Sequence, residues 1–139
     1  MTLLANITAV SCGGRGMLIE GPSGSGKSSL ALALIDRGAV LIGDDGVMLE
    51  PCGGRLKASP PPRTEGLLEV RNVGLLTCTT VQSVPVCLVI RLDSEAPRFI
   101  DDADRITLEG IHLPLVRLWP GTPVLALRSE AALRQWGLP

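Results

Sequence analysis

Gly16-Met-Leu-Ile-Glu20, then Gly21-Pro22-Ser23-Gly24-Ser25-Gly26-Lys27-Ser28, then Ser29-Leu-Ala-Leu-Ala-Leu-Ile-Asp36: these three consecutive stretches decide the fold. The first is a short apolar strand candidate. The second matches the whole phosphate-binding pattern G-x-x-x-x-G-K-[ST]. The third is rich in strong helix formers. Its pairs Leu30/Leu34 and Ala31/Ile35 are spaced four apart, which puts each pair on one helix face. Arg37-Gly38 then supplies a cation and a glycine, the usual signal for a helix stop. In a strand–loop–helix of this kind the N–H groups of the loop and of the first helical turn converge on phosphate oxygens, aided by the positive helix end. Lys27 would reach the β- and γ-phosphates and Ser28 would hold Mg²⁺. Residues 21–28, together with Ser29, are the expected nucleotide-binding set.

The rest of the composition narrows the class. At 139 residues the chain is expected to be one domain, 1–139, with one real core. Aromatic residues are only Phe99, Trp119 and Trp136, so that core must be aliphatic. The net charge of −1 gives no electrostatic case for nucleic acid or an anionic membrane. Scarce aromatics also remove a base-stacking platform. The four cysteines have no C-x-x-C spacing and His112 stands alone, which argues against zinc. Three of the four lie in or beside apolar stretches and are expected to act as small core residues. The first residues lack the basic start and apolar run of a signal peptide, and no run is long enough to span a membrane. The expectation is a cytoplasmic protein with reduced thiols.

Further along, residues 3–12 are predicted as one strand, 39–42 as a buried strand, and 51–55 as a hairpin-type turn. Pro60-Pro61-Pro62 excludes helix or central strand, so that segment is a linker or a loop at a site. Residues 84–92 read as a buried strand, and 106–118 as two short strands around Gly110. Residues 124–136 are predicted as a helix with Ala126, Ala131, Ala132 and Leu133 facing inward. The class is α/β, strand-rich with few helices.

Asp44-Asp45 closes the apolar run 39–42. A strand ending in a carboxylate beside a phosphate loop is the usual form of a second nucleotide-site element, holding metal or taking a proton from the nucleophile. Successive strand side chains alternate in direction, so both acids face one site only if the backbone bends; Gly43 and Gly46 would permit that. Asp93, after the strand at 86–92, is a weaker rival, and Asp101, Asp102 and Asp104 read as solvated loop charge. Glu69 and Arg71 alternate with apolar residues and would share one strand face. Beside a nucleotide they suit a metal ligand and a phosphate clamp; elsewhere they would be a surface ion pair. A GTPase would need Asn-Lys-x-Asp, and neither Asn6 nor Asn72 precedes a lysine. A small-metabolite kinase would need an arginine-rich lid, whereas the candidate lid at 51–65 offers only Arg55 and Arg63.

Arg15–Asp45 with its phosphate loop and Asp-Asp, Gly66-Leu-Leu-Glu-Val-Arg71, and Leu108-Glu-Gly-Ile-His-Leu-Pro114 occur in an order that resembles the HPr kinase/phosphorylase family, in its short single-domain α-proteobacterial form. The likeness covers about residues 15–118, and Glu-Val-Arg is similar to the family's E-V-R-G signature. The resemblance implies a P-loop kinase domain akin to phosphoenolpyruvate carboxykinase, without the N-terminal domain of larger members. It implies transfer of phosphate from ATP, with Mg²⁺, to a serine of the phosphocarrier HPr, and reversal by inorganic phosphate. It further implies a homo-oligomer and a role in phosphotransferase-system control. On that basis one acid at the Asp44-Asp45 position, either of the two, would take the serine proton in one direction and act as acid in the other. Lys27 and Arg71 would act on the phosphoryl group, and Ser28, Glu69 and Asp45 would surround the metal. The sequence departs from the family pattern at Asn6 (usually histidine), Ser29 (usually acidic) and Asn72 (usually glycine). Those departures motivate a second reading, a nucleotide-binding sensor that docks a phosphocarrier without turning over.

Overall fold

The computed structural model describes residues 1–139. Eleven strands and two helices follow in the order β1 (Thr2–Ala5), β2 (Thr8–Cys12), β3 (Arg15–Glu20), α1 (Lys27–Asp36), β4 (Val40–Gly43), β5 (Gly46–Cys52), β6 (Arg55–Ser59), β7 (Leu67–Val70), β8 (Gly74–Thr77), β9 (Val84–Leu92), β10 (Asp104–Leu108), β11 (Ile111–Leu118) and α2 (Leu125–Trp136). The strand-rich α/β class predicted from the sequence is the one observed.

The centre is β9, whose residues 86–90 are fully buried. Strands covered on both faces read as continuous apolar runs, and Val86-Cys-Leu-Val-Ile90 is such a run. β3 pairs parallel to β9 on one side and β11 parallel on the other; β2 and β4 extend the first side antiparallel, and β10 caps β11. The first residues of β9 pair instead with β6, which continues through β5 to β1. The two faces of the central strands therefore line two cores. Met17, Ile19, Leu88 and Ile90 meet Leu30, Ala31 and Leu34 of α1 and Leu125, Ala132 and Leu133 of α2. Leu18, Val86, Val89 and Leu115 meet Val47, Leu49, Leu56 and Ala58 of the β5–β6 pair. Each such leucine contributes about 2 kcal/mol by leaving water.

Several expectations need correction. The strand expected over 3–12 is broken at Asn6, whose φ of 64° is left-handed; asparagine tolerates that conformation better than most residues. β1 then pairs with β5 and β2 with β3, so one apolar stretch feeds two parts of the sheet. Ala131 is exposed rather than inward; α2 buries Leu125, Ala126, Ser129, Ala132 and Leu133. The cysteine reading needs no correction: Cys87 is fully buried in the core, Cys12 and Cys78 are half-buried against it, and Cys52 is exposed. The proline segment is no linker. Pro60 and Pro61 are buried, and Pro61 packs against the backbone at Gly43. No helix is long and apolar enough to cross a membrane.

Candidate active site

β3 delivers the chain to the loop 21–26, and α1 begins at Lys27. Gly24 and Gly26 take left-handed φ values of 79° and 102°, and a Cβ on either would meet nothing within 4 Å. Glycine is therefore needed there for backbone conformation, not for room. Gly26 caps α1 without any side-chain bond, so the N–H groups of the first turn remain available to an anion. Lys27 lies along its own loop and donates to the carbonyls of Gly21 at 2.8 Å and Pro22 at 3.3 Å. The Ser25 hydroxyl is buried in the same loop with no partner.

Above the loop opens a cavity of about 480 Å³, lined almost wholly by polar groups that include Lys27, Ser28, Ser29, Asp45, Glu69 and Arg71. Its far wall is the β7–β8 hairpin, whose turn is Arg71-Asn72-Val73. Leu68 roots that hairpin in the core under α1 with no exposure. Glu69 lies on β7, whereas Arg71 lies in the turn just beyond it, so the two are not neighbours on one strand face as expected; both still border the cavity. Asn72 has φ 70°, and asparagine is the non-glycine residue best suited to that conformation.

Asp44 ties these parts together. Its Oδ1 accepts the Ser28 hydroxyl at 2.6 Å and the Thr8 hydroxyl at 2.9 Å, and its Oδ2 accepts the Glu69 N–H at 3.0 Å. One carboxylate thus joins β2, the start of α1 and β7. Asp45 is different: it is exposed, borders the cavity, and its carboxylate has no partner in the protein. The acid that meets Ser28 is Asp44, where the sequence reading grouped Asp45 with Ser28. The turn is not made by the flanking glycines either. Asp45 itself carries the left-handed φ of 58°, while Gly43 is required because a Cβ there would lie 2.2 Å from the Gly46 carbonyl oxygen.

Thr8 was not legible as a site residue. It is a buried hydroxyl in an apolar strand, and no sequence motif marks it. The rival Asp93 lies elsewhere: it accepts the Glu95 N–H at 2.9 Å and faces Arg117. Asp101, Asp102 and Asp104 are exposed, and Asp104 pairs with Arg117 at 3.2 Å.

No three His, Cys, Asp or Glu side chains cluster as a metal site. Mg²⁺ favours a few protein oxygens completed by water and phosphate oxygens, and Ser28, Asp44 and Glu69 offer hard oxygens beside the loop. The residues fit that mode.

A family model described as the HPr Serine kinase C-terminal domain matches residues 5–112. The chain belongs to this family. The HPr kinase/phosphorylase of Clostridium novyi is 41% identical over 90% of the chain, and that of Clostridium beijerinckii 34% identical over 89%. The chain spans about half the length of these curated relatives, 46% in each case. The solved structure of the Hpr(Ser) kinase/phosphatase from Coxiella burnetii superposes with a TM-score of 0.84 at 26% identity, covering 96% of this chain and 95% of that one.

Proposed function

We propose that residues 1–139 form one catalytic domain that transfers the γ-phosphoryl group of ATP to a serine hydroxyl of an HPr-type phosphocarrier. The observation that carries this reading is the division between two adjacent acids. Asp44 is committed to three donors, on β2, at the start of α1 and on the hairpin, while Asp45 stands free at the cavity.

In this reading the loop N–H groups, Ser29 and Lys27 hold the phosphates. Lys27 leaves its carbonyl partners in the loop to do so. Ser28, Asp44 and Glu69 hold Mg²⁺, which when bound neutralises charge on the phosphates. Asp45 takes the serine proton as the serine oxygen bonds to the γ-phosphorus and the bond to the bridging oxygen of ADP breaks. Arg71, on the hairpin turn, lies where charge on the moving phosphoryl can be stabilised. Removal of the phosphoryl group uses the same side chains. Inorganic phosphate bonds to the phosphoserine phosphorus as its bond to the serine oxygen breaks, protonated Asp45 gives its proton to that oxygen and regains one from the attacking phosphate, and pyrophosphate leaves. Through HPr the enzyme would regulate the phosphotransferase system in the cytoplasm, as a homo-oligomer.

The test is transfer of γ-labelled phosphate from Mg-ATP to purified HPr. Label on HPr that disappears with Lys27→Ala supports the reading; unlabelled HPr despite measurable ATP binding overturns it. Adding inorganic phosphate to phosphorylated HPr, without nucleotide, tests the reverse direction.

A further inference from the structure

We propose that Thr8 is the positioning residue of this site, aiming Asp44 at Ser28 and holding Asp45 in its strained conformation through one hydroxyl. The inference rests on the kinase reading above. Thr8 is completely buried. Its O–H donates to Asp44 Oδ1 at 2.9 Å while its oxygen accepts the Asp45 N–H at 3.4 Å. A hydroxyl bonded to an ionised carboxylate makes a stronger hydrogen bond than a neutral pair, and its use in both directions fixes the rotor. The contrast is Ser129, another buried hydroxyl, which merely returns to the carbonyl of Leu125 in its own helix.

Asp45 needs such a hold. Its φ of 58° is an uncommon conformation for a residue with a side chain. The same short segment clasps its peptide on both sides: Asp45 N–H reaches Thr8, and Asn6 N–H donates to the Asp45 carbonyl at 3.1 Å. Between these two, Ile7 is anchored in the second core. The β2–β4 register shifts between Ala9 and Val10, immediately beyond Thr8; an irregularity of this kind re-aims the side chains beside it. Residues 6–8 therefore act as a clamp whose chemical contact with both acids is the Thr8 hydroxyl.

Thr8→Val keeps the shape and removes the hydroxyl; Thr8→Ser keeps the hydroxyl and removes the methyl. With the folded fraction of each variant measured by nucleotide titration, Thr8→Val is expected to lower kcat for HPr phosphorylation about 30-fold. At saturating Mg²⁺ the KM for ATP of Thr8→Val should stay within about twofold, and kcat of Thr8→Ser within about threefold, of the parent. A Thr8→Val enzyme with parental kcat, or a Thr8→Ser enzyme as slow as Thr8→Val, would overturn the proposal. Should the parent itself fail to phosphorylate HPr, the kinase reading falls, and Thr8 is judged separately by Mn²⁺ affinity in the presence of ADP. A loss of about tenfold in Thr8→Val, restored in Thr8→Ser, supports the positioning role; equal Mn²⁺ affinities refute it.

Discussion

A single methyl group added at Gly43 should disable the site, while the same methyl at Gly46, three residues on, should not. A Cβ at Gly43 would sit 2.2 Å from the Gly46 carbonyl oxygen and 2.8 Å from Pro61 Cδ. The first neighbour is backbone and the second a buried proline ring, so neither can swing aside. Reaching ordinary contact requires the Gly46 carbonyl to retreat by about 1 Å, and Asp44 and Asp45 lie on the backbone between the two glycines. Overpacking of this severity costs about 3 kcal/mol. For a chain of 139 residues that lowers Tm by about 9 °C. A shift of 1 Å at the acids also removes about 100-fold of activity. At Gly46 the nearest neighbours of a Cβ are at 3.8 Å or beyond, and φ there is not left-handed. Gly46→Ala is therefore expected within about 0.5 kcal/mol of the parent. Urea unfolding followed through Trp136, half-buried against the helical core, gives both stabilities. Equal stabilities for the two variants, or a Gly43→Ala protein as stable as the parent, would refute the reasoning.

Asp45→Asn should slow phosphoryl transfer by about 100-fold or more while leaving ATP affinity within about threefold. Asp44→Asn should instead weaken Mg²⁺-dependent nucleotide binding about tenfold, and calorimetry alongside transfer rates would expose a reversal of the two roles. Asn72→Gly should leave stability within about 0.5 kcal/mol, whereas Asn72→Val, β-branched at φ 70°, should cost about 1–2 kcal/mol; thermal melting decides. Burial, with the nearby Glu130 adding to it and Arg15 opposing, pushes the Cys12 thiol up to about 11. At pH 8 a thiol reagent should therefore label exposed Cys52 well before Cys12. The sign for stability follows: between about 9 and 11 the folded protein keeps a proton that the unfolded chain releases, so stability present below pH 9 declines as pH rises through that window. Cys12→Ala should flatten that decline.

What the sequence disclosed follows the strength of local signals. The strand, loop and helix at 16–36 were legible because each carries its own cue: apolar run, glycine spacing, i, i+4 leucines. The central strand β9 was legible because burial on both faces leaves an unbroken apolar run. The break at Asn6 was not, since Leu-Leu-Ala before it and Thr-Ala-Val after it suit a strand equally well; the left-handed residue between them has no apolar period to disturb. The Asp-Asp pair was visible as a strand-end carboxylate, yet the sequence could not say which acid bonds to Ser28. That depends on Asp45, rather than a glycine, adopting the left-handed conformation. Arg71 slipped from strand to turn because Asn72 opens the hairpin one residue earlier than a two-residue alternation implies. Thr8 gave no signal at all, because a buried hydroxyl acquires its role only from the partners that the fold brings to it.

The measurement that tests the central claim most directly is mass spectrometry of HPr after incubation with the protein and Mg-ATP. The account predicts one phosphoserine on HPr, formed by the parent protein, absent with Lys27→Ala, and reduced about 100-fold with Asp45→Asn. Unmodified HPr in all three reactions, with ATP still bound by the parent, would contradict it, as would phosphoserine formed equally well by Asp45→Asn.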